Sequence, residues 1–153
     1  MSEVPYFRLQ IDGKPQGKPR ARFATGHKPY PDRKQALAEG EVRRVWQAAG
    51  SPRLPDDPLS MVLLLGVSRP AAHWRTNGEL STEGLRNPWP HRSKPDCDNA
   101  IKLVCDSLNA LAWRDDVRFV DIRCLRVWTD WPSTVVEVAV VTHAPPTMLA
   151  LAA

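Results

Sequence analysis

The stretch KPDCDNAIKLVCDSLNALAWRDDVRFVDI, residues 94–122, changes its apolar period partway along. Over its first part Ile101, Val104, Leu108 and Leu111 recur at the spacing that places them on one helical face, which predicts a helix over 97–112. From Val117 onward the pattern alternates through Phe119, Val120, Ile122, Leu125 and Val127, which predicts a strand to residue 128. Pro95 suits the approach to a helix start. A helix feeding a strand, each with an apolar and a polar side, is the building unit of a layered fold.

The flanking segments supply the other elements. Residues 4–11 (VPYFRLQI) read as a first strand, turned by Asp12-Gly13, and 14–31 form a Gly/Pro/Lys/Arg loop without periodicity. Asp32 is an N-cap candidate for a helix over 32–49, with Leu37, Val42, Val45 and Trp46 as its apolar stripe and Gly50 as its stop. The mostly apolar run 59–68 (LSMVLLLGVS) predicts a central strand, and 134–142 (TVVEVAVVT) a last one. Residues 69–95 show no repeating pattern, which in a small domain marks a functional or a disordered loop. The order β-α-β-α-β-β predicts one α/β or α+β domain over 1–143, with a mixed sheet and two main helices. The tail 144–153 is expected to fray.

Bulk properties limit the function. A chain of 153 residues with 42% apolar and 25% charged content suits one packed domain. Between Arg8 and Lys34 there are eight Lys or Arg against two Asp, whereas Asp96 to Asp116 holds five Asp against Lys102 and Arg114. A basic arm beside an acidic cluster suits a protein that grips a polyanion with one region and cations with the other. Three cysteines without paired spacing argue against a disulfide framework and against a zinc site. No signal-like segment opens the chain and no apolar run is long enough to span a bilayer, so an intracellular, cytoplasmic protein is expected.

Chemistry concentrates in the carboxylates. Asp96 and Asp98, at i and i+2, can converge only if Asp96 precedes the helix and Asp98 lies in its first turn. Asp98, Lys102 and Asp106 then follow at i, i+4 and i+8 on the polar face, and one of Asp115 and Asp116 can reach the cluster from the strand start. Three oxygen ligands from two elements describe a Mg²⁺ or Mn²⁺ site, with Lys102 placed to bind a phosphate. Helix caps at Asp96 or Asp98, a surface ion-pair ladder through Lys102, and a polar turn at Asp115-Asp116 are the plainer readings of the same residues. A calcium EF-hand is a poor fit, because Ile101 and Ser107 stand where the loop needs Gly and Glu.

The run at 94–122 resembles the hallmark segment of the RusA family of Holliday junction resolvases, a D-x-D-N-x-x-K block followed by D-D. The opening GKPQGKPRAR is similar to that family's basic, proline-containing N-terminal stretch. The resemblance implies a homodimeric, Mg²⁺-dependent endodeoxyribonuclease that nicks four-way and other branched DNA in pairs and associates with the nucleoid. It implies Asp96, Asp98 and Asp116 as metal ligands and Lys102 as the essential lysine, with secondary roles for Asn99 and Asp115. An inactive branched-DNA binder of the same fold, and a flap or RNA nuclease using the same site, are the alternatives. Residues 69–93 depart from a minimal family member by their length and their Trp and His content, which bears on substrate preference and dimer geometry.

For DNA contact the basic candidates are Lys14, Lys18, Arg20, Arg22 and Lys28, whose phosphate contacts would be independent of base sequence. Trp74 and Trp89 are read as buried anchors of the long loop in preference to base-stacking platforms, and Trp46 and Trp113 as core. The four histidines share no spacing, which argues against a metal role. Cys97 is read as structural, since neighbouring carboxylates raise a thiol pKa.

Overall fold

The computed structural model describes residues 6–18 and 33–142. Arg20, Arg22 and Lys28 of the basic arm, and the tail, lie outside the described residues.

Four strands form one mixed sheet: β1 (Tyr6–Asp12), β2 (Leu59–Val67), β3 (Phe119–Trp128) and β4 (Ser133–Val140), in the spatial order β1-β4-β2-β3. β4 runs antiparallel to both β1 and β2, and β3 runs parallel to β2 at the edge. Helices α1 (Arg33–Ala48) and α3 (Cys97–Leu108) are the two long ones; a five-residue helix, α2 (Thr82–Arg86), lies between β2 and α3. The predicted α+β class and element order therefore hold, with α2 added.

Alternation explains the layering. Leu59, Met61, Leu63 and Leu65 of β2 face the helices and are 0% exposed, and register places Val138, Val136 and Thr134 of β4 beside the last three. Phe7 and Leu9 of β1 continue that face, where α1 contributes Val42 and Trp46 and α3 contributes Leu103, Val104 and Leu108. Only one side of the sheet is covered in this way. The opposite side carries Tyr6, Arg8, Val62, Leu64, Glu137 and Leu125, of which Tyr6, Arg8, Val62 and Leu125 are exposed.

Two helical faces differ from those read in the sequence. In α1 the stripe narrows to Val42, Val45 and Trp46, while Leu37 is 65% exposed. α3 ends at Leu108, because Asn109 caps it and Ala110 turns the chain with φ 62°; Leu111 thus lies beyond the helix and is exposed. The buried face of α3 is Ala100, Leu103, Val104, Ser107 and Leu108, with Ile101 at its margin. Val117 is likewise no strand residue: Asp116–Arg118 form a single 3₁₀ turn and β3 starts at Phe119.

The link from β3 to β4 passes over the end of β2. Thr129 N–H donates to Val67 O at 3.0 Å, and a Cβ on Gly66 would lie 2.7 Å from Thr129 Cγ2. Glycine is what permits that crossing.

The long segment after β2 is ordered by its own contacts. Arg69 donates to the carbonyls of Gly84 and Asn87 at 3.1 and 3.3 Å, and Trp128 Nε1–H donates to Asn87 O at 2.9 Å. Arg126 donates to Ser93 O. Ser81 caps α2, its Oγ accepting from Gly84 N–H. The anchors are thus His73, Pro90 and Trp128; Trp74 and Trp89, read as buried, are 41% and 60% exposed. The ring nitrogen of Trp128 has a partner, which fixes the orientation of its indole.

Candidate active site

Asp96 occupies the N-cap position of α3 with extended backbone, yet its side chain makes no capping hydrogen bond. Its two carboxylate oxygens lie 3.1 and 3.2 Å from Lys94 Nζ instead. Asp98 follows in the first turn, where the positive end of the helix dipole favours an anion. Among the described residues neither Asp98 nor Lys102 has an ion-pair partner. The ladder reading therefore does not describe this helix face, because Asp106 pairs with Lys18 at 2.5 Å.

Residues 15–18 press against the start of α3. Lys18 N–H donates to Asn99 O at 2.9 Å, and a Cβ on Gly17 would lie 2.7 Å from Pro95 Cβ and 3.1 Å from Asn99 Cβ. The Lys94-Pro95 peptide is cis. Between these segments runs a groove of about 300 Å³ lined by Lys14, Gly17, Lys94, Asp96 and Asn99. Lys94, to which the sequence reading gave no role, is thus part of the site; its signal was its position two residues ahead of Asp96.

The second acidic group lies at the other end of α3. Asp115 caps the 3₁₀ turn, its Oδ1 accepting from Val117 N–H at 3.2 Å. The pKa of Asp116 is raised, first by burial, then by the hydrogen bond and charge of Asp115, and then by the charge of Asp106. Asp56 holds this turn through Arg114 at 3.0 Å and Arg118 at 2.7 Å. Asp98 and Asp106 share a face of α3 but stand about 12 Å apart along its axis. A short link joins the end of α3 to the turn and sets Asp116 where the charges of Asp115 and Asp106 act on it. Among the described residues no three His, Cys, Asp or Glu side chains are gathered as a metal site. The structure brings Asp96 and Asp98 together on one helix start and groups Asp116 with Asp106 and Asp115 separately.

Lys18 has a different task from the one its place in the basic arm predicts. It bridges Asp106 and Glu39 of α1, the latter at 3.3 Å. Partial burial lowers its pKa, but the hydrogen bonds and charges of Asp106 and Glu39 outweigh this and leave it raised. Lys14, by contrast, lines the groove with an exposed side chain. The thiols are structural: Cys97 Sγ lies 3.8 Å from Cys124 O, and the Cys105 pKa is pushed up to about 12 by burial and then by the charges of Asp116 and Asp106.

Among the described residues, carboxylates free of backbone hydrogen bonds, a lysine without an ion-pair partner one turn on, and a lysine-lined groove beside them suit the class of nucleases, whose substrate is a phosphodiester. Comparison with known proteins gives that class a family. The model described as Endodeoxyribonuclease RusA matches residues 12–139, and the chain belongs to the RusA endodeoxyribonuclease family. A curated relative, the uncharacterized protein YqaN of Bacillus subtilis (strain 168), is 37% identical over 54 residues, covering 35% of this chain. That match spans 36% of the relative's own length.

Proposed function

We propose that the protein is a Mg²⁺-dependent, structure-selective endodeoxyribonuclease that resolves four-way and other branched DNA by paired hydrolysis of phosphodiesters. The observation that carries the reading is Asp96, a helix N-cap residue whose carboxylate does not cap, followed by Asp98 and Lys102, which have no ion-pair partner among the described residues. Neither carboxylate stabilises its own helix end by a hydrogen bond, so both are available to a ligand.

Asp96 and Asp98, on one helix start, would hold the ion. Asp116, the third ligand that the family resemblance implies, is not gathered with them among the described residues and would have to close on the ion as it binds. The donor type fits it: all are carboxylate oxygens, the ligands of a hard divalent cation. Bound Mg²⁺, or Mn²⁺ in its place, supplies activation of a water and neutralisation of charge at the phosphate. Lys102, on the same helix face as Asp98, contacts the phosphate oxygens as charge grows on them. Lys94 shields Asp96 and exchanges that partner for DNA phosphate as the groove fills, with Lys14 on the facing wall.

Two cuts placed symmetrically call for two copies of the site, and a homodimer supplies them. Tyr6, Val62 and Leu125, exposed on the uncovered side of the sheet, support a subunit contact there.

The test is cleavage of a labelled four-way junction, beside a linear duplex and a flap, in Mg²⁺ and in EDTA. Paired nicks confined to the junction, abolished by EDTA and slowed at least about 100-fold by Asp98→Asn, are expected. Equal cutting of flap or duplex would remove the junction selectivity. No cutting in any divalent metal would remove the nuclease reading.

A further inference from the structure

A larger cleft, of about 560 Å³, opens beside the Asp96 groove, and Lys14, Pro15 and Lys94 line both. Its other walls come from the segment after β2 and from the end of β3. The volume falls within the range of clefts that take small organic groups.

Two aromatic rings line it in different states. Trp128 is immobilised by its hydrogen bond to Asn87 O, by the Arg69 guanidinium 5.1 Å from its ring centroid, and by His73 set edge-on at 5.3 Å. Trp89 is 60% exposed and none of its ring atoms has a hydrogen-bond or ring partner among the described residues. Its backbone is nonetheless fixed, since Pro90 beside it is buried and His91 N–H donates to Trp89 O.

Charge sets the ligand class. Lys14, Arg92 and Lys94 line the cleft against one carboxylate, Glu83. Lys14 and Arg92 have no ion-pair partner among the described residues. A free aromatic plane with unpaired cations around it matches a base and its phosphates, and base–aromatic stacking tolerates any base.

We propose that this cleft captures an unpaired nucleotide adjoining the scissile phosphate, its base stacked on Trp89 and its phosphates met by Lys14 and Arg92. Because the cleft and the Asp96 groove share Lys14, Pro15 and Lys94 as walls, a strand cut at Asp96 would have its neighbouring nucleotide near the mouth of the cleft. A branch point offers such nucleotides at low cost, since their stacking is already interrupted. The assignment rests on the nuclease reading and adds to it what the site recognises next to the cut.

The experiment places 2-aminopurine at the branch point of a four-way junction, or in an arm, and follows its fluorescence as full-length protein binds in EDTA. A short single-stranded oligodeoxynucleotide and a linear duplex serve as further ligands. A change is expected at the branch point and not in the arm, absent with Trp89→Leu, whose exposed site leaves the fold intact. Trp89→Leu should weaken single-strand binding about tenfold or more and leave duplex binding unchanged. Arg92→Ala should reduce the salt slope of single-strand binding by about one. An unchanged branch-point signal and unchanged single-strand affinity in Trp89→Leu would overturn the proposal. If wild type cuts junctions while Trp89→Leu behaves identically, the cleft assignment falls alone. If wild type cuts nothing while the Trp89-dependent signal persists, the nuclease reading falls and base capture stands.

Discussion

Glu39 and Lys18 tie the N-terminal segment to α1, and both titrate outside the neutral range. Burial raises the Glu39 pKa, but hydrogen bonds from Gln35 and Lys18, with the charges of Lys18 and Arg43, leave it below its ordinary 4.5. A carboxylate with a lowered folded pKa contributes stability that is fully present above the unfolded value and is lost as pH falls through the folded one. Lys18, raised above its ordinary 10.5, keeps its contribution up to that pH and loses it as pH rises through the folded value. Glu39→Gln should therefore be less stable than wild type by about 1 kcal/mol at pH 7. In urea unfolding that gap should close at acid pH; a gap of constant size from neutrality into acid would show that charge is not its source. This bridge was not legible in the sequence. Lys18 and Asp106 are separated by 88 positions, and ion pairs at that range leave no local pattern, so Lys18 read as one more cation of a DNA-gripping arm. The position of Asp96 just ahead of the helix was legible because it follows from Pro95 and two residues of helix geometry alone.

Elements were readable where period carried them. The mostly apolar β2 gave a central strand, and α3 gave its existence and start. Its face was read one position off because Leu111 was counted into a helix that ends earlier. Ala110 makes the turn at positive φ, a conformation in which glycine is the expected signal. The segment after β2 lacks any period because long-range groups order it, chiefly Trp128 from β3; the Ser81 cap of α2 was its one local sign. Trp128→Phe keeps the ring and removes the donor to Asn87 O. Amide exchange over 84–93 should then accelerate at least about tenfold, with a loss of global stability of about 1 kcal/mol. Unchanged exchange there would mean that Arg69 and Arg126 suffice to hold the segment.

Among the described residues, the helices clothe one side of the sheet. Composition and element order anticipated the α+β class, but not which carboxylates meet, since the position of Asp116 depends on how a short link leaves α3. The proposed two-fold assembly is tested on the bare side: Leu125→Arg should weaken self-association at least about tenfold in sedimentation and convert paired nicks into single ones. Wild type sedimenting as a monomer at the concentrations that cut junctions would exclude the dimer. The strand order has a further effect, on how the chain reaches this state. β4, the last in sequence of the described strands, lies between β1 and β2, and no pair in the sheet is a hairpin. Before residues 133–140 leave the ribosome, β1 has no sheet neighbour and β2 lacks one of its two. Contacts this distant in sequence fold slowly, on the millisecond to second scale. During synthesis β2 must therefore wait, unpaired along one edge, until residues 133–140 have been made.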